Sequence, residues 1–398
     1  MDIRSITLFC EPDFDPKQAA AFFAAARSAF SYPVQTTRLA TTPFPDWWDG
    51  EQDATAQAQS IATRWQAAGA DYISLGPVLL RHDAAWLERI PAIIAASDVL
   101  FATAEIADTA GSLDTGRCWH MADIIHRVSA ILPNGFGNLY LTALANCAPG
   151  SPFFPVAYHS GGAPTFAIAV ESADVALQAI QSAQTLDEAR ANLVAAIEEA
   201  AGRVMATAVP LAAQFAIPCH GIDFSLAPYP EDGKSLGGAM EALGLPHVGA
   251  AGSLFAAGFI TEAIQRADFP RCGFSGLMLP VLEDSVLARR AAEGVLTVQD
   301  LLSYSAVCGV GLDTIPLPGD ISRDSLAGIL LDVAMLASRL RKPLTARLMP
   351  LPGLHAGDPV TFDFPYFADS RVMGVRGEVV RGVLGGTAVL PIRPYHSG

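Results

Sequence analysis

Four stretches of this chain set polar, titratable or thiol side chains beside glycine or proline at the ends of apolar runs. They are residues 153–162 (FFPVAYHSGG), 219–228 (CHGIDFSLAP), 305–313 (SAVCGVGLD, running on to Asp320) and 362–371 (FDFPYFADSR). Sites in α/β proteins sit at such strand ends, where loops vary while the strands hold them rigid. His159, leaving an aromatic run, has the chemistry of a general acid or base. Asp223 alternates with apolar neighbours, and a carboxylate on a buried strand must be paired or hydrogen-bonded. Asp313 and Asp320 follow turn-forming glycines. Cys308 lies among small residues, where a thiol can line or attack a substrate. Ser225 and Arg371 complete the set, the arginine as a fork for a carboxylate or phosphate.

Each candidate has a plainer reading. Asp223, Asp313 and Asp320 can be turn aspartates accepting backbone amides. His159 can be tethered to a carbonyl, and Cys308 can be an inert packed thiol. Arg117, His120 and Asp123 share a helix face by their spacing, and His120 with Asp123 reads as a surface pair. In Glu283-Asp284 the adjacent acids point apart on a strand, and Asp284 reads as the cap of the next helix.

The elements that would position these groups alternate. Strands are expected at 3–9, 70–76, 99–106, 153–158, 166–170, 222–226, 277–282, 306–310 and 344–349. Helices are expected at 16–30, 86–96, 115–132, 253–267, 285–293, 298–304 and 324–341. Asp114 or Thr115 caps the third of these. Thr185-Leu-Asp-Glu188 fits a capping box at the head of a long helix, 186–208. The tail from Phe362 is strand-like. Such alternation predicts an α/β fold with mostly parallel strands, since parallel strands need crossovers. Residues 1–398 read as one domain, with halves at about 1–184 and 209–398 joined by the 186–208 helix.

The 398 residues are 51% hydrophobic and 16% charged, which excludes a disordered chain or a coiled coil. The net charge is −15, with lysine only at positions 17, 234 and 342, so no basic stripe can track phosphates or an anionic membrane. The reading is therefore no nucleic acid and no membrane partner. The acidic start MDIRSITLFCEPDFDP lacks the basic end and apolar core of a signal peptide. The six cysteines form no C-x-x-C pair, so reduced thiols and a cytoplasmic location are expected. High hydrophobic content with low charge predicts a homo-oligomer.

Several motifs fail on inspection. Gly233-Lys234-Ser235 lacks the glycine that a phosphate loop needs five residues earlier, where Pro228 stands. Gly135-Phe-Gly137 and Gly309-Val-Gly311 lack the third glycine of a dinucleotide fingerprint. Neither H-E-x-x-H nor G-x-S-x-G occurs. No nucleotide-cofactor motif is visible, and the cofactor is left unknown.

The run SAVCGVGLDTIPLPGD at 305–320 resembles the signature of the uncharacterised domain of unknown function 711 family. So do DIRSIT at 2–7, PFFP at 152–155 with Tyr158-His159, GIDFSLAP at 221–228 and GLMLPVLED at 276–284. The resemblance covers the chain to near residue 320. It implies a relative of the glycyl-radical-enzyme barrel: ten strands in two mostly parallel five-stranded halves, surrounded by helices, with a hairpin loop inside. It implies no established activity. In that superfamily the hairpin carries a cysteine, which Cys308 would match, and a C-terminal loop carries a radical glycine. Arg371-Val-Met-Gly374-Val375 matches that loop in part, but Val375 stands where an aromatic is usual. Gly374 is therefore not expected to carry a radical.

The leading functional expectation is an enzyme of hydrolase or lyase type acting on a small polar or anionic molecule inside the barrel. His159, Asp223, Cys308 and Asp313 would be catalytic, with Ser225, Asp320 and Arg371 binding substrate. The alternatives are a non-catalytic small-molecule binding or regulatory protein, a Mg²⁺- or Ca²⁺-dependent enzyme built on Asp223, Asp313 and Asp320, and, last, the glycyl-radical-like enzyme that the resemblance implies.

Overall fold

The computed structural model describes residues 1–377 and 380–395. Its strands are β1 (Asp2–Phe9), β2 (Val34–Ala40), β3 (Tyr72–Val78), β4 (Leu100–Ala107), β5 (Ser112–Asp114), β6 (Leu141–Ala145), β7 (Thr165–Glu171), β8 (Cys219–Ala227), β9 (Gly311–Pro318) and β10 (Leu344–Leu351). Short pieces follow at β11 (Pro359–Val360), β12 (Ser370–Arg371) and β13 (Val389–Pro391). The helices are α1 (Pro16–Ala29), α2 (Ala54–Ala67), α3 (Ile90–Ala96), α4 (Thr115–Ser129), α5 (Ala173–Gln181), α6 (Leu186–Phe215), α7 (Leu236–Ala242), α8 (Ser253–Arg266), α9 (Ser285–Ala292), α10 (Val298–Tyr304) and α11 (Arg323–Leu340). None of the described helices is long and apolar enough to cross a membrane.

One large sheet runs β8-β7-β1-β2-β3-β4-β6-β10-β9, with β5 and β13 attached beside β4. Strands β1, β2, β3, β4 and β6 are mutually parallel. The direction reverses at two seams, β1 against β7 and β6 against β10. Beyond the seams, β7 pairs β8 and β10 pairs β9, again parallel. The sheet's two edges are thus β8 and β9. Residues 270–282 run between these edges. They hold β8 through Ile222 N–H to Pro270 O, 2.8 Å, and β9 through Val281 N–H to Asp313 O, 3.1 Å. Only isolated bridges form there, Ile222 with Arg271 and Pro280 with Asp313.

The reversal has a consequence for position. One end of the sheet gathers the starts of the five parallel strands together with the finishes of β7, β8, β9 and β10. Strands with buried faces explain the long apolar runs; β4, β9 and β10 are buried at every position.

Local signals work as the residue types require. Asp114 caps α4, accepting from Arg117 N–H at 3.1 Å. The Thr185 hydroxyl accepts from Glu188 N–H at 3.1 Å to start α6. That helix does not stop near 208 but continues through Pro210 to Phe215. Pro210 costs it a hydrogen bond, yet Leu211 remains buried against the core. Asp284, fully buried, accepts from Val286 and Leu287 N–H at the head of α9. It also accepts from Leu236 and Gly237 N–H at the head of α7, so one carboxylate serves two helices.

Three expected strands are not strands. Residues 153–158 form turns, of which Phe153 and Phe154 line the molecule's central cavity. Residues 306–310 are a turn, and β9 begins only at Gly311. There Gly309 packs backbone to backbone on Gly276, where a Cβ would lie 2.4 Å from the Gly276 carbonyl. Residues 277–282 make a single bridge. Beyond Phe362 the described tail is mostly irregular, with only two- and three-residue strands. Strands β2 and β6 were not anticipated.

Candidate functional site

A cavity opens at the end of the sheet where the parallel group begins, with about 860 Å³ of atom-free space, part of it open to solvent. Side chains two apart on a strand share a face. On β2 that face carries Thr36 and Arg38, and on β8 it carries Asp223 and Ser225, all lining the cavity. Arg4 of β1 and Arg347 of β10 join them, with Glu283 immediately after the bridging segment. Aromatic rings supply much of the rest: Tyr72, Phe101, Phe153, Phe154, Phe364 and Tyr366.

Most of the charges are spoken for. Arg347 donates from Nε to Asp313 Oδ1 at 2.5 Å and from Nη2 to Glu283 Oε1 at 2.9 Å. Arg4 donates to Glu283 Oε2 at 2.7 Å and to Glu171 Oε2 at 3.1 Å. Lys234 completes the chain with Glu171 at 3.0 Å and Asp2 at 3.4 Å. The ladder thus ties β1, β7, β9 and β10 to Glu283, at the end of the bridging segment. Asp313 is fully buried, and its Oδ2 has no hydrogen-bond partner among the described residues. Burial pushes its carboxyl up to about 6, with Glu283 adding to the rise and Arg347 opposing it.

Arg38 is the exception. Its Nε donates to Thr36 Oγ1 at 2.9 Å. Its guanidinium lies over Phe154, 5.0 Å from the ring centroid, and over Tyr72 at 5.6 Å. Among the described residues no carboxylate pairs with it. Burial, and then repulsion from Arg4, lower it to about 10, so it stays cationic at neutral pH.

Asp223 sits opposite on β8. It accepts from Phe274 and Ser275 N–H, both at 3.0 Å, and from the Ser225 hydroxyl. Burial pushes its carboxyl up, against those hydrogen bonds. The turn that delivers the amides needs Gly273, at φ +62°, because a Cβ there would fall 2.1 Å from Asp223 Oδ2.

The sequence-derived candidates are therefore scattered. Asp223 and Ser225 line the central cavity, and Asp313 stands behind Arg347. His159 lines a different cleft with Glu105, Tyr158 and Arg81. That cleft is at the other end of the sheet, where β3 and β4 finish. There His159 Nε2 lies 3.4 Å from Gly162 O, and burial lowers its pKa. Glu105 accepts from Leu80 N–H at 2.8 Å and is pushed up to about 7 by burial.

Cys308 is buried in the turn after α10, its amide held by Tyr304 O and its carbonyl by Lys342 Nζ. It does not line the central cavity. The irregular segment that reaches into the cavity is the one carrying Phe153 and Phe154, not the one carrying Cys308. Asp320 is on the surface, bonded to His355 at 2.9 Å, and Arg371 is exposed, donating to Gly357 O.

The expected oxygen cage of Asp223, Asp313 and Asp320 does not form, because each carboxylate turns to a different local partner. Among the described residues no group of three His, Cys, Asp or Glu side chains could hold a metal ion. Gly374 follows Met373, which bonds Pro316 near the far end of β9. Cys308 precedes the start of that strand at Gly311, so about 17 Å of extended strand, Gly311 to Pro316, lies between the two.

Sequence reasoning missed Arg4, Arg38, Glu283 and Arg347 as site residues. The available signal was a charged residue inside an otherwise buried strand, as in DIRSITLF, VQTTRLA and LTARLMPL. His120 and Asp123 do not pair: His120 bonds Glu88 at 2.6 Å and Asp123 bonds Arg323 at 2.7 Å.

A family model described as "Uncharacterised ACR (DUF711)" matches residues 1–363. A UPF0210 protein of Pyrobaculum aerophilum is 34% identical over 292 residues, covering 70% of this chain and 63% of the relative. One from Pyrobaculum arsenaticum is 36% identical over 245 residues, 58% of this chain and 53% of the relative. One from Lactiplantibacillus plantarum is 28% identical over 372 residues, 88% and 81%. The chain thus spans less than two thirds of the length of the two Pyrobaculum relatives.

Proposed function

The chain belongs to the DUF711 family, and on that premise we propose that its central cavity binds a small anionic molecule and carries out acid–base chemistry of hydrolase or lyase type on it. The observation that carries this reading is Arg38. A guanidinium whose Nη groups have no partner among the described residues faces a cavity in which the other arginines are already paired with carboxylates. Two parallel N–H bonds from such a fork fit a carboxylate or phosphate. Asp223 and Ser225 are the groups placed to take or give a proton. A carboxyl lifted by burial is nearer the pKa a general acid or base needs at neutral pH. Asp313 acts through Arg347 as a positioning residue. In this reading the sheet closes into a ten-segment barrel around the cavity, with residues 270–282 as the tenth member.

Binding without catalysis is the second reading. It is favoured by the three donors already on Asp223, which leave its oxygens little capacity for a substrate proton. A melting-shift screen with small carboxylates, phosphates and sulfonates tests both readings at once. At least one anion is expected to raise the midpoint of the wild type and not of Arg38→Met. No response to any anion, or an undiminished response in Arg38→Met, refutes the anion site. Among anions that bind, turnover lost in Asp223→Asn while binding persists separates the enzyme from the binding protein.

A further inference from the structure

We propose that the central cavity is built for an aryl monocarboxylate, a flat aromatic ring bearing one carboxylate; this rests on the anion site at Arg38. Two independent features specify the class. The first is charge. Of the three arginines lining the cavity, Arg4 and Arg347 pair with carboxylates and Arg38 pairs with none among the described residues, so one cation is left for a ligand. Glu283 is consumed by Arg4 and Arg347. Arg4 and Arg347 also engage Glu171 and Asp313, outside the cavity wall. A second negative charge on the ligand would face Glu283 and Asp223 with no free cation to meet it. A dianion such as a phosphate monoester is therefore disfavoured, and so is a primary amine, since Arg38 repels it while Glu283 is paired with two arginines and Asp223 already accepts three hydrogen bonds.

The second feature is the wall. Tyr72 and Phe101 meet edge to face, with centroids 5.4 Å apart at 83°, and Phe101 meets Phe154 in the same way at 5.3 Å and 77°. Phe364 and Tyr366 also line the cavity, and Tyr366 is held under the Arg4 guanidinium at 4.8 Å. Rings fixed by their neighbours in this way offer faces and edges at set angles, to which another ring fits better than a floppy chain. The Arg38 guanidinium itself lies over the faces of Phe154 and Tyr72. A carboxylate paired in plane with its Nη groups would extend beside those rings, placing the aryl body among Phe101, Phe153 and Phe364. Arg38 Nε is already tied to Thr36, so the fork is aimed before the ligand arrives, and less ordering is needed on binding.

The test is isothermal calorimetry on the full chain with benzoate, phenylacetate, cyclohexanecarboxylate, inorganic phosphate and benzylamine. The expected order is benzoate or phenylacetate tightest, cyclohexanecarboxylate several-fold weaker, and phosphate and benzylamine without measurable heat. Arg38→Met should weaken benzoate by about ten- to a hundredfold, the loss of a charged hydrogen-bonded pair. Arg38→Lys, which keeps the charge without the fork, should recover only part of it. Circular dichroism of both variants verifies that they fold, and Phe101→Leu serves as a second probe that leaves the arginine intact. Phosphate binding through Arg38 with no benzoate binding would overturn the aryl assignment while leaving the anion site standing. Equal affinity for benzoate and cyclohexanecarboxylate would overturn it as well. No binding of any anion would remove both.

Discussion

The buried ladder at Arg347 makes a quantitative prediction. Arg347 sits between Asp313 and Glu283 with its side chain only 6% exposed, and those two acids are 0% and 7% exposed. Replacing it with methionine keeps the packing and leaves two acids facing each other. Breaking one side of a buried pair costs about 3–5 kcal/mol. Spread over the unfolding entropy of a chain this long, that is a fall in melting midpoint of roughly 4–6 °C. The loss must depend on pH. Asp313 stands at about 6 in the folded chain against an ordinary 3.8. A carboxyl raised on folding contributes stability that is complete below its unfolded value and lost as pH rises through the folded one. At about pH 5 Asp313 is mostly protonated, so the variant then loses chiefly the Glu283 bond. The gap between wild type and Arg347→Met should therefore widen as pH rises through the folded value. Scanning calorimetry at about pH 5 and about pH 8 reads it directly. Arg347→Met combined with Asp313→Asn should recover more than half of the loss at the higher pH. A gap of equal size at both pH values, or a double variant as unstable as the single one, would refute the reasoning.

Asp284→Ala strands five donors at the heads of α7 and α9. At about 1 kcal/mol each it should cost about 4–5 kcal/mol, against about 1 kcal/mol for the α7 cap alone in Ser235→Ala; comparable thermal shifts for the two variants would contradict the shared cap. Gly273→Ala forces a methyl onto Asp223 Oδ2, so benzoate binding and melting midpoint should both drop, and an unchanged midpoint would count against the geometry of that turn. Cys308→Ala should leave benzoate affinity within about twofold, since the thiol lines no part of the central cavity; a larger loss would place the turn after α10 in the site.

How much of this was legible in advance divides along sequence distance. The alternating apolar segments predicted the α/β class, and most helices begin at the Asp, Ser or Thr that chemistry requires, as at Asp114, Thr185 and Asp284. These are local choices: a cap oxygen bonds amides two or three residues away. Asp223 and Ser225 were also legible, because a period of two on one strand puts them on one face. The long helix was found, but its end was not, because burial of Leu211 outweighs what Pro210 removes. His159, Cys308, Asp320 and Arg371 carry the right chemistry, but the fold sends them to a second cleft, a packed turn and the surface.

What the chain order could not state is which charge meets which. Arg4 finds Glu283 at a separation of 279 residues and Glu171 at 167. Arg347 finds Glu283 at 64. Composition and local pattern contain nothing that assigns those partners; they are set when the reversed seams bring the starts of one strand group beside the finishes of the other. Arg38 is singled out only by that assignment. As a residue type it equals Arg4 and Arg347, and all three sit on strands of the same sheet. Tertiary pairing spends two of them on internal carboxylates, and the one left without a carboxylate, ringed by aromatics, is what turns a buried cavity into a candidate binding site.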